Sequence, residues 1–555
     1  MRSRVALAIA GAMTRRSPIH RPLPEWPGIW SHSPAGAVLA GAIAATGFQP
    51  LALWPLALAG LAWLMHLLAG ARSARHAALL GWAFGVGHFT LGNNWIATAF
   101  TYQAEMPAWL GWIAVVLLAL YLAVFPALGA LAAWWLSRRW LGRGGRAALV
   151  PAFAACWIVS EWLRGWAFTG FAWNPLGMIA LGGFTRPGLA MVAPWTGTYA
   201  LSALVILLAA QWLFAGRAVA AGRWVAAGLH AALPVVLFLL PLHGGAEQGT
   251  LPFTLVQPNT RQEDLNDPRT FEDQFRVTAG LSLAPDPRRT RLVLWPESGV
   301  PDYLRPGYAR RWYEETTYAA DPALARARIG RVIGARGLLL TGAADLVFTR
   351  GKVTGAYNVV TALDGAGAIR GSYAKAHLVP YGEYLPMREL LEPIGLSRLV
   401  AGSVDFLAGP GPRTVDFGPV ADGGWGKAGF QICYEIIFSG HVIDRGNRPD
   451  YLFNPTNDGW FGSWGPPQHL AQARMRAIEE GMPVLRATTT GISAVIDADG
   501  AVRQFLPSHH AGRLDGFVPP VHPPTLFARM GNLLPLCWAG VLLCIALVAS
   551  RRRWR

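Results

Sequence analysis

Apolar and polar positions divide the chain into two regimes. Seven apolar stretches precede residue 245, roughly 34–47, 51–69, 77–100, 108–136, 147–166, 188–215 and 224–242, and an eighth, about 530–550, closes it. Most reach the ~20 residues that a helix needs to cross a ~30 Å hydrocarbon core, which predicts about eight transmembrane helices. The first stretch is short and ends at Gly47-Phe48-Gln49-Pro50, so it reads as one arm of a tight helical hairpin with the second. From Leu251 the pattern changes to short β-rich runs alternating with helical stretches. Thr254-Leu255-Val256, Leu292-Val293-Leu294-Trp295, Leu338-Leu339-Leu340, Asn358-Val359-Val360, Phe430-Gln431-Ile432 and Val484-Leu485-Arg486 read as buried strands. Helical periods fall near 306–336 and 467–482, the second opened by Pro466-Pro467. This alternation predicts an α/β layered sandwich. The expected organisation is a basic tail 1–33, a seven-helix membrane domain 34–244, a soluble domain 245–527, an eighth transmembrane helix 528–550 and a basic tail 551–555.

Composition agrees with a chain that is not wholly in water. Of its 555 residues 53% are hydrophobic and only 14% charged, against about 25% charged in soluble proteins. Four cysteines exclude a disulfide scaffold. The net charge of +16 sits mainly between apolar runs and at the chain ends rather than on a soluble face, so no nucleic-acid partner is expected. Arg72 and Arg75, then Arg138, Arg139, Arg143 and Arg146, then Arg217 and Arg223 occupy alternate connections, and Arg551, Arg552, Arg553 and Arg555 follow the last span. The positive-inside rule then places both termini in the cytoplasm and the soluble domain outside, which in a bacterium is the periplasm. Arg186, on the outer side, is a weak exception. The start Met-Arg-Ser-Arg is like a signal peptide's, but the apolar run Val5–Met13 is brief and Thr14-Arg15-Arg16 follows it, so a retained tail is expected. Within the spans, Glu161 and Arg164 are spaced to pair on one helix face. His88, Asn93 and Asn94 add further polar groups near a span end.

Candidate chemistry begins with sulfur. Cys156, Cys537 and Cys544 fall in apolar spans and read as packing residues, leaving Cys433 alone in a domain assigned to an oxidising compartment. It ends the apolar run Ala428–Ile432, where a turn can present a nucleophile. Trp295-Pro296-Glu297-Ser298 sets a carboxylate just past a buried strand, suited to a general base. Lys375-Ala376-His377-Leu378-Val379-Pro380-Tyr381-Gly382-Glu383 supplies a cation and a second carboxylate. Lysine occurs only at 352, 375 and 427, so Lys375 marks a place suited to a compact ammonium. No zinc-type spacing occurs among the 13 His and four Cys, and neither metal nor cofactor is expected. The long apolar segment 384–412 reads as a loop able to pack as a lid or dip into a bilayer.

The motifs WPES, KxHLVPYGEYLP, ICYE, NDGWFG and QHLAQARMRA, in that order, resemble the apolipoprotein N-acyltransferase family, the membrane-embedded branch of the nitrilase superfamily. The resemblance covers nearly the whole chain. It implies an αββα sandwich, with Cys433 as nucleophile, Glu297 as general base and Lys375 stabilising the oxyanion. Glu383, Tyr434, Glu435, Trp295, Asn457, Trp460 and Phe461 would support the site or substrate. Trp460, Phe461 and Trp464 are expected as exposed aromatics at a lipid-facing mouth, with core packing as the alternative. The implied reaction passes a fatty acyl chain from a phospholipid to the amine of a diacylglyceryl-cysteine of an apolipoprotein through a Cys thioester, in the inner membrane, by a monomer. Two departures stand out: Leu265-Asn266 replaces a frequent Lys-Trp pair, and Thr488-Thr489-Thr490 replaces an Asn before Gly-Ile-Ser. The rival readings are a tethered hydrolase with the same triad, a transporter with an accessory domain, and an inert lipid-binding scaffold. The first is separated only by the fate of the acyl group, and the second lacks matching broken helices.

Overall fold

The computed structural model describes residues 33–102, 107–140, 145–240, 247–284, 286–391, 393 and 405–551. The N-terminal tail to residue 32, Arg143, residues 394–404 of the apolar segment and the tail from 552 lie outside them. The main helices of the first half are α1 (Pro34–Ala45), α2 (Trp54–Gly70), α3 (Ala74–Gly92), α4 (Leu110–Leu122), α5 (Val124–Trp135), α6 (Gly145–Arg164), α7 (Ala193–Ala220) and α8 (Trp224–Leu239). Local chemistry sets several starts: Ser33 caps α1 ahead of Pro34, and Ser73 Oγ accepts from His76 N at 3.2 Å to open α3. Glycine lets α1 and α3 pack backbone to backbone. A side chain at Gly41 would overlap the Phe84 carbonyl, and one at Gly87 the Val38 carbonyl, the small-residue contact by which helices associate in lipid.

Each predicted span contains helix, but among the described residues only Leu110–Arg138, Leu189–Ala220 and Leu533–Arg551 are long and apolar enough to cross a membrane. The others are shortened or carry polar groups. Pro34–Ala45 and Trp54–Gly70 are short helices on either side of a turn, and α6 ends with Glu161 and Arg164. Those two residues are buried. Glu161 accepts from Leu176 N, Trp157 Nε1 and Ser202 Oγ, and Arg164 Nη1 donates to the carbonyls of Phe171 and Trp173, both at 2.8 Å. The pair holds the connection between α6 and α7 in place rather than bonding mainly to itself, since its own separation is 4.0 Å.

The second half is a four-layer αββα sandwich. One sheet has the order β12-β1-β2-β3-β4-β5, from β1 (Pro252–Gln257), β2 (Arg291–Leu294), β3 (Gly337–Thr349), β4 (Lys352–Asp364), β5 (Ile369–Ala374) and β12 (Gly512–Phe517). The other has the order β11-β10-β9-β8-β7-β6, from β6 (Thr414–Asp416), β7 (Lys427–Phe430), β8 (Tyr451–Thr456), β9 (Val484–Thr488), β10 (Ser493–Ile496) and β11 (Val502–Leu506). The parallel centre strands are apolar on both faces because both faces are covered. Leu255, Leu292, Leu294 and Leu340 face the second sheet, while alternate positions Val256, Val293 and Leu339 pack under α9 (Phe271–Ser282) and α10 (Pro322–Ile333). The predicted helix over 306–336 is broken into a single turn, Arg311–Glu314, and α10, which is begun by the Asp321 cap and Pro322 and stopped by Gly334 at φ +87°.

The outer helix of the second sheet, α11 (Gly465–Glu480), is buried almost all round although it carries Gln468, His469, Gln472, Arg474, Arg476 and Glu479. It lies between the second sheet and the first-half helices, and several of its polar side chains bond across that junction. Arg474 donates to the carbonyls of Gly182, Gly183 and Arg186 at 2.8–2.9 Å, Glu479 Oε1 accepts from Thr198 N at 2.7 Å, and Gln468 Oε1 accepts from Trp173 Nε1 at 2.7 Å. The last helix, α12 (Leu533–Arg551), packs on α6 and α7. Cys537 and Cys544, expected to pack inside, are instead exposed on α12, on a side turned away from its neighbours. A small apolar thiol suits a lipid-facing surface as well as a core.

Candidate active site

The polar groups singled out in the sequence converge at the ends of four strands. Past β2 the chain turns through Pro296, and Glu297 is held by two donors: Asn358 Nδ2 at 2.7 Å on Oε1 and Asn457 N at 2.8 Å on Oε2. Past β5, Lys375 Nζ donates to Glu383 Oε1 at 2.9 Å and stands 3.5 Å from Glu297 Oε1. Glu383 also accepts from Asn358 Nδ2 at 3.1 Å and, through Oε2, from Val379 N at 2.8 Å. One ammonium thus sits between two carboxylates that share an asparagine donor. Lys375 is 1% exposed and Glu297 7%, so the charges are screened by neither solvent nor salt. Burial alone would push the ammonium down, but Glu383, Glu297 and Cys433 together raise it above the usual lysine range. Lys375 therefore stays charged.

Cys433 follows β7 and opens a short 3₁₀ turn, Cys433–Ile437. Its φ of +50° is in the left-handed region that a residue with a Cβ seldom adopts, a strain that surrounding contacts must hold. Two side chains do so. Glu435 accepts from Ile432 N at 2.7 Å on one oxygen, and from Tyr373 Oη at 2.8 Å, Ala376 N at 2.7 Å and His377 N at 3.2 Å on the other. His469 Nε2 meets the Cys433 carbonyl at 3.1 Å; because a carbonyl only accepts, that nitrogen carries the hydrogen. The His469 ring lies between Trp173 and Phe461, with Nδ1 2.9 Å from Asp458 Oδ1, and Arg486 Nη2 donates to Asp458 Oδ2 at 2.7 Å. Burial pushes the Cys433 thiol well above its ordinary range and Glu297 adds to this, while Lys375 and the Asn457 N–H oppose it. In the resting site the sulfur is a thiol, and a base must take its proton as it attacks.

Burial also raises Glu435 to about 7, yet four donors face it. Glu435→Ala would orphan them at about 1–3 kcal/mol each before water enters. The expected result is a thermal unfolding transition lowered by several degrees, measured on the purified protein.

Other expectations land differently. Trp295 is fully buried, but in the layer under α9, where its Nε1 donates to Ser282 Oγ at 2.7 Å. It shares the α9 side of the sheet with Val293, two positions back, whereas Glu297 lies past the turn at Pro296, beyond the strand end. Phe461 is not exposed: at 8% exposure it packs against Trp95 and Trp173 with ring centroids 4.6 and 5.7 Å away. Trp460 and Trp464 are half-buried, Trp460 edge-on to Tyr102. Tyr434 is buried, its Oη within 3.4 Å of the Gly170 carbonyl. Asn457 bridges the sheets: Nδ2 donates to Gln262 Oε1, and Oδ1 accepts from Thr489 Oγ1, both at 2.8 Å. Thr489, which stands in the family-departing segment, therefore supports Asn457. Sequence reading missed Asn358, His469, Asp458 and Arg486. Two of them, Asp458 and His469, lie in the motifs NDGWFG and QHLAQ, but an isolated polar residue does not disclose its partner.

Residues 40–211 match the family described as the apolipoprotein N-acyltransferase N-terminal domain, and residues 254–510 match the carbon-nitrogen hydrolase family. The apolipoprotein N-acyltransferase of Rhodopseudomonas palustris is 34% identical over 93% of this chain and 95% of its own. That of Bradyrhizobium diazoefficiens is 36% identical over 93% and 94%, and that of Azotobacter vinelandii 33% over 96% and 97%. Among solved structures, an amidase from Nesterenkonia sp. AN1 aligns with 53% of this chain and 95% of its own at 16% identity and a TM-score of 0.33. The full-length likeness to these relatives, over both the helical half and the sandwich, places the chain in the apolipoprotein N-acyltransferase family.

Proposed function

We propose that this protein transfers a fatty acyl chain from a phospholipid to the α-amine of an apolipoprotein's diacylglyceryl-cysteine, in two half-reactions through a thioester on Cys433. The observation that carries the reading is the buried meeting of Cys433, Glu297 and Lys375 beside the junction with the helical half. In the first half-reaction Cys433 Sγ attacks an ester carbonyl while Glu297 takes the thiol proton. Lys375 Nζ stabilises the oxyanion as it develops, a fixed charge in a dry site being worth several kcal/mol, on the order of 3 for a single donor. The intermediate collapses with the C–O bond breaking, and Glu297 returns the proton to the lysophospholipid alcohol. In the second, the acceptor amine attacks the thioester carbonyl and gives a proton to Glu297. The C–S bond breaks, and the proton returns to Cys433, so the enzyme is restored. Glu383 and Asn358 are assigned to hold Lys375 and Glu297 at their distances.

Burial favours transfer over hydrolysis. Cys433 is 5% exposed, so bulk water has little access to a thioester there, while both proposed substrates arrive from a bilayer. The membrane reading assigns the eight apolar helical segments as spans, with the sandwich on the periplasmic face of the inner membrane. Purified protein given phospholipid alone is expected to accumulate about one acyl group per chain with little turnover, followed by chase when a diacylglyceryl-cysteine peptide is added. Steady release of fatty acid without an acceptor would instead make the protein a lipid hydrolase.

A further inference from the structure

A cavity of about 460 Å³ opens between the start of α7, the end of α11 and the segment leading into α12, within the ~300–1,000 Å³ range of small-molecule sites. Met191, Trp195, Ile478 and Leu526 supply apolar wall, and His522 and Arg529 supply cationic or polar groups. Asp499, also in the lining, is turned to His522, with Oδ1 3.7 Å from Nδ1. Among the described residues no carboxylate pairs with Arg529, which is exposed. The apolar wall continues outward: Trp195 is 58% exposed and Leu526 42%, and Trp538 of α12, itself exposed, donates to the Trp195 carbonyl at 3.0 Å. The two helices flanking this opening, Leu189–Ala220 and Leu533–Arg551, are among the three long and apolar enough to cross a membrane. The opening therefore lies at a span end, where tryptophan and arginine favour the boundary between hydrocarbon and headgroups.

We propose that this cavity holds one non-covalently bound phospholipid, its phosphate on Arg529 and one acyl chain lying over Trp195 and Leu526 toward Met191 and Ile478. A guanidinium suits a phosphate because its planar fork donates two hydrogen bonds at once. The site is separate from the acyl-donor site. His469, at one end of α11, bonds the Cys433 carbonyl, and Ile478 is nine residues further on, about 14 Å along the axis. A lipid here touches α7, α11 and the lead into α12 together, and so stabilises the seating of the sandwich on the helices.

The inference rests on reading α7 and α12 as membrane-spanning, but not on the acyl-transfer chemistry, so it is tested in Cys433→Ala protein, which forms no thioester. Delipidated protein in detergent is titrated with dioleoylphosphatidylglycerol and followed by native mass spectrometry and thermal unfolding. One retained lipid per chain and a raised unfolding temperature are expected, with affinity reduced about tenfold by Arg529→Ala and by Leu526→Glu while the apo-protein unfolds as the parent does. Dioleoylglycerol is expected to bind at least tenfold more weakly, and inorganic phosphate not to displace the lipid. Equal binding of dioleoylglycerol, or affinity unchanged in both variants, overturns the phosphate-and-chain site. Displacement by millimolar phosphate makes it a free-anion site and overturns the lipid assignment.

Discussion

Cys433→Ala is expected to fold, to insert in the membrane and to retain no measurable acyl transfer, a loss on the order of 10⁴-fold or more for a removed nucleophile. No other described cysteine replaces it: Cys156 lies in α6 and Cys537 and Cys544 lie in α12, away from Glu297 and Lys375. In the unaltered protein, mass spectrometry after exposure to phospholipid should find a hydroxylamine-labile acyl adduct on the peptide containing Cys433. Cys433→Ser should show either no adduct or a hydroxylamine-resistant ester, because a hydroxyl is far less acidic than a thiol and a weaker nucleophile in its neutral form. An adduct on any other residue, or full activity of the alanine variant, would refute the assignment of the nucleophile. Stability is expected to change little, since only one sulfur atom is removed and the strained φ of +50° is held by Glu435 and His469 rather than by sulfur.

Lys375→Met should be the most damaging change at a position that forms no covalent bond. Methionine matches the lysine stem in volume but leaves Glu297 and Glu383 facing each other without the intervening ammonium, which now stands 3.5 and 2.9 Å from them. Breaking a buried pair in this way costs about 3–5 kcal/mol, and loss of the oxyanion partner should lower acyl-enzyme formation by roughly 10³-fold. The two effects separate in the double variant Lys375→Met with Glu383→Gln. Removing the second charge is expected to restore most of the unfolding temperature, and none of the activity. Recovery of both would reduce Lys375 to a structural role. Because Lys375 is held above the ordinary lysine range by its carboxylates, the native rate should show no decline attributable to its deprotonation below about pH 10, an alkaline limb that stopped-flow acylation would reveal if the ammonium were instead poised to titrate.

The elements easiest to read were those with one dominant pattern. β1 and β2 are apolar at nearly every position because both faces are covered, and the apolar runs 338–340 and 358–360 fall inside the longer strands β3 and β4, whose polar remainder the pattern did not show. β8 escaped notice since Asn454 and Pro455 interrupt Tyr451-Leu452-Phe453, although all six of its residues are buried. β11 and β12 were hidden for a different reason: they contain exposed Arg503 and Gln504 in one, and half-buried Arg513 with exposed Asp515 in the other, typical of strands at a sheet edge. The helix over 306–336 was overread because the buried Tyr313 belongs to the short turn Arg311–Glu314, and Ile329 and Ile333 belong to α10, so one apolar period runs across two separate helices.

By itself the chain's order of residues determined the division into an apolar helical half and a layered α/β half, and the identity of Glu297, Lys375 and Cys433 as candidates. Those are properties of composition, periodicity and side-chain type, which local sequence carries directly. Only the tertiary structure decided that Glu383 and Asn358 share the charge of Lys375 and Glu297, that His469 and Glu435 hold Cys433 in its strained turn, and that α11 spends its polar side chains on the junction with the helices. It also turned Trp295 and Phe461 from expected site groups into packing. The reason is geometric: residues as far apart as Trp173 and Gln468, or Glu297 and Asn457, meet within hydrogen-bond distance, and such a contact leaves no periodic trace in either neighbourhood.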